Sequence, residues 1–293
     1  TIFGIASIKL VLWSMAFFWG VNGWLQSAAF PLCGKSLTFW FSNKERGTKW
    51  SWWSTSHEFG SVAAMLISSI VISGLITKDG TVLIEGMGWK AAFYVPVIIS
   101  LVVSIITFFT LRDKPSSLGL PDIEEYHGTK VDNKDVHSEE DDMSYSQIFK
   151  KHILFNKSMW FLGAAFIFVY ILRFGPMDWF VKYYMDTKGD DMMIATIKSC
   201  FVPFFGSIGT LTIPYISDKV FGGRRAPANF FYLMLAVVSL AVLRYSMNSH
   251  QGDLYDYIFL ALLGIATCGP LVLIGGLCSI ESASKKVAAA ATG

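Results

Sequence analysis

Ser158-Met-Trp-Phe-Leu-Gly-Ala-Ala-Phe-Ile-Phe-Val-Tyr-Ile-Leu-Arg-Phe-Gly-Pro-Met177 is a run of twenty residues with a single charge, Arg173. A helix needs about 20 mostly apolar residues to cross the hydrocarbon core of a bilayer. A helix on the surface of a soluble domain shows an apolar stripe instead, with polar residues on its other side. Working outward from this run, six more stretches lack charge altogether: Leu10–Gly34, Phe59–Thr77, Ala91–Leu111, Ser199–Ser217, Ala226–Leu243 and Tyr257–Ile280. Together they predict seven membrane helices and an all-α membrane protein. Pro96, Pro203, Pro270 and Gly206 inside these runs are tolerated, because neighbouring helices re-satisfy the freed backbone groups.

Composition agrees. The chain has 293 residues, 53% hydrophobic and only 16% charged, with mean hydropathy +0.47. Ordinary soluble domains carry about 25% charge, so a disordered chain is excluded and a soluble enzyme disfavoured. A net charge of +2 is too small for nucleic-acid binding. Cys33, Cys200, Cys268 and Cys278 all lie in apolar runs with no CxxC spacing, which predicts neither a disulfide framework nor a metal site. No Walker A, GxSxG or Cys/His pair is present, so no enzyme and no cofactor is expected.

The charge is concentrated between spans. Asp113–Lys157 holds ten Asp and Glu against six Lys and reads as a solvated linker. Its end, Ser144–Leu154, reads as a short amphipathic surface helix. Lys and Arg favour the cytoplasmic side. Lys44, Arg46 and Lys49, then Arg112, Lys114, Lys150, Lys151 and Lys157, then Lys219, Arg224 and Arg225, and finally Lys285 and Lys286 mark alternate loops. The expected orientation is therefore N-terminus out and C-terminus in, with the acidic linker cytoplasmic.

Arg173 lies fifteen residues into its run, about 22 Å along a helix. A central Arg costs about 2.5–3.5 kcal/mol on insertion scales, and such a residue faces a polar cavity or a partner. Two readings are open. The guanidinium fork matches phosphate or carboxylate bidentately; alternatively, Arg173 pairs with an acid such as Asp178 or Glu58. Tyr170 is one turn earlier and can share its face. Ser54, His57 and Ser61 also fall on one helix face, either lining a cavity or serving as interfacial packing groups. His57-Glu58 starts like HExxH, but position 61 is Ser, so the zinc motif is absent. Lys198 either lines a cavity or pairs with Asp190 or Asp191. Lys35 and Arg244 sit at span ends, where snorkelling accounts for them.

Several segments resemble the organophosphate:phosphate antiporter family of the major facilitator superfamily. They are Gly23-Trp-Leu-Gln with Pro31-Leu-Cys-Gly-Lys35; Trp40-Phe-Ser-Asn-Lys-Glu-Arg-Gly47 running into Trp53-Ser-Thr-Ser-His57; Arg112-Asp-Lys-Pro with Gly119-Leu-Pro-Asp-Ile-Glu-Glu-Tyr126; Val169-Tyr-Ile-Leu-Arg173 with Asp178-Trp179; Ser217-Asp-Lys-Val-Phe-Gly-Gly-Arg-Arg225; and Gly269-Pro-Leu-Val-Leu-Ile-Gly275. The resemblance covers nearly the whole chain. It implies the twelve-helix fold of that superfamily, made of two six-helix halves, with this chain an incomplete version holding about helices four to ten. The absent initiator Met and the Ala288-Ala-Ala-Ala-Thr-Gly293 ending fit that expectation. On it, residues 1–112 are the last three helices of the first half, 113–157 the cytoplasmic linker, and 158–293 the first four helices of the second half.

By the same resemblance, Arg173 is the phosphate-binding arginine of the seventh helix, His57 the substrate-binding histidine of the fifth and Tyr170 a cavity tyrosine; Ser54 and Lys198 are further candidates for the substrate site from their own positions. Asp218, Arg224 and Arg225 form the loop signature that latches cytoplasmic helix ends, with Lys35 and Asp178 in structural or gating roles. Ser54, Phe30, Pro203 and Cys268 stand where the family often has Asn, Trp, an acid and an aromatic. The function implied is exchange of a sugar phosphate, glucose-6-phosphate first, for inorganic phosphate across an inner or plasma membrane, by a protein monomeric at full length. A glycerol-3-phosphate antiporter and a sugar-phosphate sensor acting through a signalling partner are the alternatives. A seven-helix receptor fits the span count but not the long loop after the third span.

Overall fold

The computed structural model describes residues 2–27, 29–76, 81–112, 114–121, 123–126, 145–248 and 253–278. Their contacts form two compact units. One comprises residues 1–43, 114–159 and 279–293, the other residues 44–113 and 160–278. The middle of the acidic linker, 127–144, and the final basic pair Lys285 and Lys286 lie outside the described residues.

The first unit holds α1 (Ile2–Ser27) and α2 (Ala29–Trp40), which pack together. Lys114 is extended, as the residue before a proline must be, and Pro115 opens a 3-10 turn to Leu118 closed by left-handed Gly119. Two short helices follow, α5 (Ile123–Tyr126) and α6 (Tyr145–Phe149). From α6 the chain continues as a π-helical turn, Lys150–Leu154. The amphipathic segment expected before the fourth span is thus helical from Tyr145 on, and it buries Ile148.

The second unit contains most of α3 (Asn43–Ser73), then α4 (Ala91–Thr110), most of α7 (Lys157–Tyr183), α8 (Met192–Lys219), α9 (Arg225–Asn248) and α10 (Asp253–Val272). α3 is longer than its charge-free run. Nothing between Asn43 and Ser73 breaks a helix except two isolated glycines, so the charged first turns and the apolar part form one rod. His57 is therefore inside the helix, about 21 Å from its start. The expected span to Thr77 also ends early. Gly74 turns the chain at φ 80 into a small antiparallel hairpin, β1 (Leu75–Ile76) with β2 (Val82–Ile84).

α8 is the centre of this unit and packs along α10, with α9 flanking both. Two apolar clusters stack along it. Phe180, Tyr184, Ala195, Val202, Leu243, Leu260 and Leu263 form one, and Ile213, Ala228, Tyr232, Leu273 and Cys278 the other. Between them the α8 and α10 backbones nearly touch. A Cβ on Gly209 would collide with the Ile265 backbone, and one on Gly264 with the Val202 backbone. In lipid there is no water to drive helices together, so such close van der Waals contact is the main source of association.

Among the described residues, six helices are long and apolar enough to cross a membrane. α1, with 26 residues and the one charge Lys9, covers most of the remaining expected span. The outer faces are apolar: α4 buries none of its residues, and Phe93, Ile106 and Phe108 expose 56–78% of their surface. So large an apolar area is incompatible with water. The chain is an all-α, multi-pass integral membrane protein.

Candidate substrate site

Arg173 is 2% exposed in the middle of α7. Its Nη2 donates to Glu58 Oε2 of α3 at 2.7 Å, and Nη1 donates to Cys268 Sγ of α10. Its guanidinium carbon lies 5.2 Å from the Phe174 ring centroid. Nε has no hydrogen-bond partner among the described residues. Glu58, 1% exposed, therefore meets the guanidinium through one nitrogen, not through the two-point fork that Arg and carboxylate favour. Gly206 of α8 makes room: a Cβ there would lie 3.4 Å from Glu58 Oε2 and would overlap Cys268. Four helices thus converge on one buried charge pair. Of the two acids set against Arg173 on sequence grounds, Glu58 is the one beside it, and Asp178 is exposed.

Ser54 is one turn before Glu58 on the same face of α3, 6% exposed, with its Oγ unpartnered among the described residues. Buried polar atoms are rarely left so. Tyr170 lies one turn from Arg173, half exposed, between Phe166 and Phe174 at ring distances of 4.8 and 4.9 Å. His57 is exposed, turned about a hundred degrees from its neighbour Glu58 by the helical period; its carbonyl accepts from Ser61 Oγ at 2.9 Å.

Lys198 belongs to a second cluster, two turns from Gly206 along α8. It is fully buried, its Nζ bonds Asp190 Oδ2 at 2.6 Å, and it lies 5.1 Å from the Tyr184 ring. Lys188 pairs with the buried Asp256, and its Nζ lies 5.9 Å from the same ring. Sequence reasoning left Glu58 only as one of two partners and passed over Lys188, Asp256 and Tyr184. Charge-free runs start one residue after Glu58 and one after Asp256, so both carboxylates fall just outside the expected spans. The readable signal was a lone acid abutting an apolar run with no helix breaker between them.

The loop signature closes on itself. Arg225 Nη1 donates to Asp218 Oδ1 at 2.6 Å and to Ser217 Oγ at 3.2 Å, while Ser217 Oγ donates to the Arg224 carbonyl at 3.3 Å. The Asp218 side chain is 57% exposed and that of Arg225 21%. Exposed pairs contribute about 0–1 kcal/mol. Asp218→Asn is therefore expected to leave the thermal midpoint of the purified protein within about 2 °C of the parent. A larger drop would assign the pair a stabilising role its exposure does not support. Lys35 is helical, in α2, with its side chain outside the described set.

The Major Facilitator Superfamily model matches residues 1–293. The chain is 34% identical over 279 residues to the glycerol-3-phosphate transporter of Bacillus subtilis, covering 95% of this chain and 60% of that protein. It is 31% identical to the hexose-6-phosphate:phosphate antiporter of Escherichia coli, covering 99% of this chain and 59% of that one. The Escherichia coli membrane sensor protein UhpC is 30% identical, with 96% and 61% covered. The chain spans about three fifths of the length of the curated relatives it matches. Its apolar helices, its inward-facing arginine and this match along its full length lead to one assignment: the chain belongs to the Major Facilitator Superfamily and matches its organophosphate:phosphate antiporter family.

Proposed function

We propose that this chain carries the central helices of a transporter that exchanges a sugar phosphate for inorganic phosphate by alternating access. The observation that carries this reading is the buried, incompletely satisfied guanidinium of Arg173 among four membrane helices. A phosphate monoester brings about −1.5 to −2 charge and three strong acceptor oxygens, enough to occupy both edges of the guanidinium. Tyr170 and Ser54 lie on the same helix faces as Arg173 and Glu58 and supply the sugar or phosphate with hydroxyls. His57 and Lys198 act at the substrate only after helix movement, since one is exposed and the other held by Asp190. Residues 1–112 are the last three helices of one moving half and 158–293 the first four of the other, with 113–157 the cytoplasmic linker between them, and Asp218 with Arg224 and Arg225 latches the cytoplasmic helix ends. Lys35 and Asp178 take structural or gating roles. No covalent step is involved, and the full-length protein works as a monomer in the inner or plasma membrane.

Glucose-6-phosphate is the proposed substrate ahead of glycerol-3-phosphate. The test is the full-length protein in proteoliposomes loaded with phosphate, given each labelled ester outside. Uptake accelerated by internal phosphate establishes exchange, and the faster ester is the substrate. Arg173→Lys keeps the charge but loses the fork, and exchange is expected to fall at least about tenfold. Near-normal exchange by that variant would remove Arg173 from the site. Binding without uptake would favour a sensor.

A further inference from the structure

Three aromatic side chains run along α7 beside Arg173. Phe166, Tyr170 and Phe174 fall four residues apart on one helix face, with neighbouring ring centroids 4.8 and 4.9 Å apart. The Arg173 guanidinium carbon lies 5.2 Å from the Phe174 ring centroid, so charge and rings form one continuous strip. We infer that this strip selects cyclic sugar phosphates over open-chain ones, the phosphate engaging Arg173 and the sugar ring lying on the face of Tyr170. This rests on the transport reading above and adds the class of ester that the site admits.

The two ends of the strip are held. Phe166 rests against main chain in the π-helical turn that follows α10, Leu273–Cys278, where a Cβ on Gly275 would come 2.6 Å from its ring. Phe174 meets the guanidinium, and a cation near an aromatic face is attracted by the ring quadrupole. Both phenylalanines are half-buried. Tyr170, between them, exposes 46% of its surface. A ring fixed on both sides loses little freedom when a ligand covers it. It offers a flat, apolar face that carries partial negative charge. A pyranose presents the matching surface, with axial C–H groups on its face and hydroxyls around its rim. An open-chain ester has no such face, and it must also give up bond rotations to lie flat. The strip thus sets an anion site one turn from a ring-binding surface, the order in which a hexose-6-phosphate carries its phosphate and its ring.

The experiment uses the full-length protein in phosphate-loaded proteoliposomes that take up labelled phosphate. Unlabelled glucose-6-phosphate and glucitol-6-phosphate compete from outside. The two esters have the same carbon count, but glucitol cannot close a ring. For the unmutated protein, glucose-6-phosphate is expected to half-inhibit at a concentration at least about fivefold below that of glucitol-6-phosphate. Equal or reversed order, with phosphate self-exchange intact, overturns the inference and leaves the transport reading standing. Tyr170→Leu keeps an apolar side chain and removes the ring. It is expected to bring the two esters within about twofold of each other. Tyr170→Phe keeps the ring and gives up the hydroxyl, and is expected to retain at least about half of the parent's preference. A leucine variant as selective as the parent, or a phenylalanine variant no more selective than the leucine one, overturns the inference. If Tyr170→Leu is not monodisperse on size exclusion, the unmutated protein decides alone. Absence of phosphate self-exchange in the unmutated protein removes the transport reading and the inference with it.

Discussion

Arg173→Leu will destabilise the protein by about 3–5 kcal/mol, the cost of leaving a buried charge without its partner. Adding Glu58→Leu will return most of that stability without returning transport. The single variant strands a carboxylate that is 1% exposed among α7, α8 and α10. Removing both charges replaces an expensive desolvated pair with apolar packing, which is often neutral or better. Transport depends on the guanidinium itself, so it stays lost. Thermal unfolding in detergent micelles and exchange in proteoliposomes measure the two quantities separately. A single variant as stable as the parent would mean the pair is solvated in the working protein. Exchange regained in the double variant would show that Arg173 serves the fold and not the substrate.

The second large effect belongs to the α8–α10 crossing. Gly264→Leu must push four carbons into space held by the Val202 backbone, where even a Cβ collides. Overpacking an ordinary core costs about 1–3 kcal/mol because side chains can shift. Here the obstacle is main chain, and α8 carries both apolar clusters of its unit, so a monodisperse folded peak is expected to disappear. Gly163→Leu is the control. A Cβ at that position on α7 meets nothing within 4 Å, and the variant is expected to purify like the parent. A well-behaved Gly264→Leu protein would mean that the two helices do not cross this closely.

The membrane fold was legible because it rests on one-dimensional quantities, the length and continuity of apolar runs. Arg173 was legible for the converse reason: a single charge in such a run has few explanations. What the run-counting missed follows from its own boundaries. α3 extends sixteen residues N-terminal to Phe59, because helices stop at breakers and not at charges, and this brings Glu58 from the edge of the apolar run into the core. The hairpin after Ser73 depends on Gly74 and Gly86 meeting across a turn, a pairing that local hydropathy does not register. His57 and Lys198 are, like Arg173, nitrogen bases in or beside apolar runs, but the face each one occupies depends on helix packing. The Lys188–Asp256 pair joins residues 68 apart, and no spacing rule connects them.

The ion pair also bears on how the protein is made. Glu58 and Arg173 are separated by 115 residues, so at about 5–20 residues per second the ribosome delivers the arginine about 6–23 s after the acid. Throughout that interval α3 holds an acid in or near the bilayer with no guanidinium to meet it. An unpaired carboxylate is strongly disfavoured there, so the group waits at the water boundary. α3 takes its final depth and rotation only when α7 arrives. Its insertion is thus completed in two stages, and the stretch of chain between them acts as a clock.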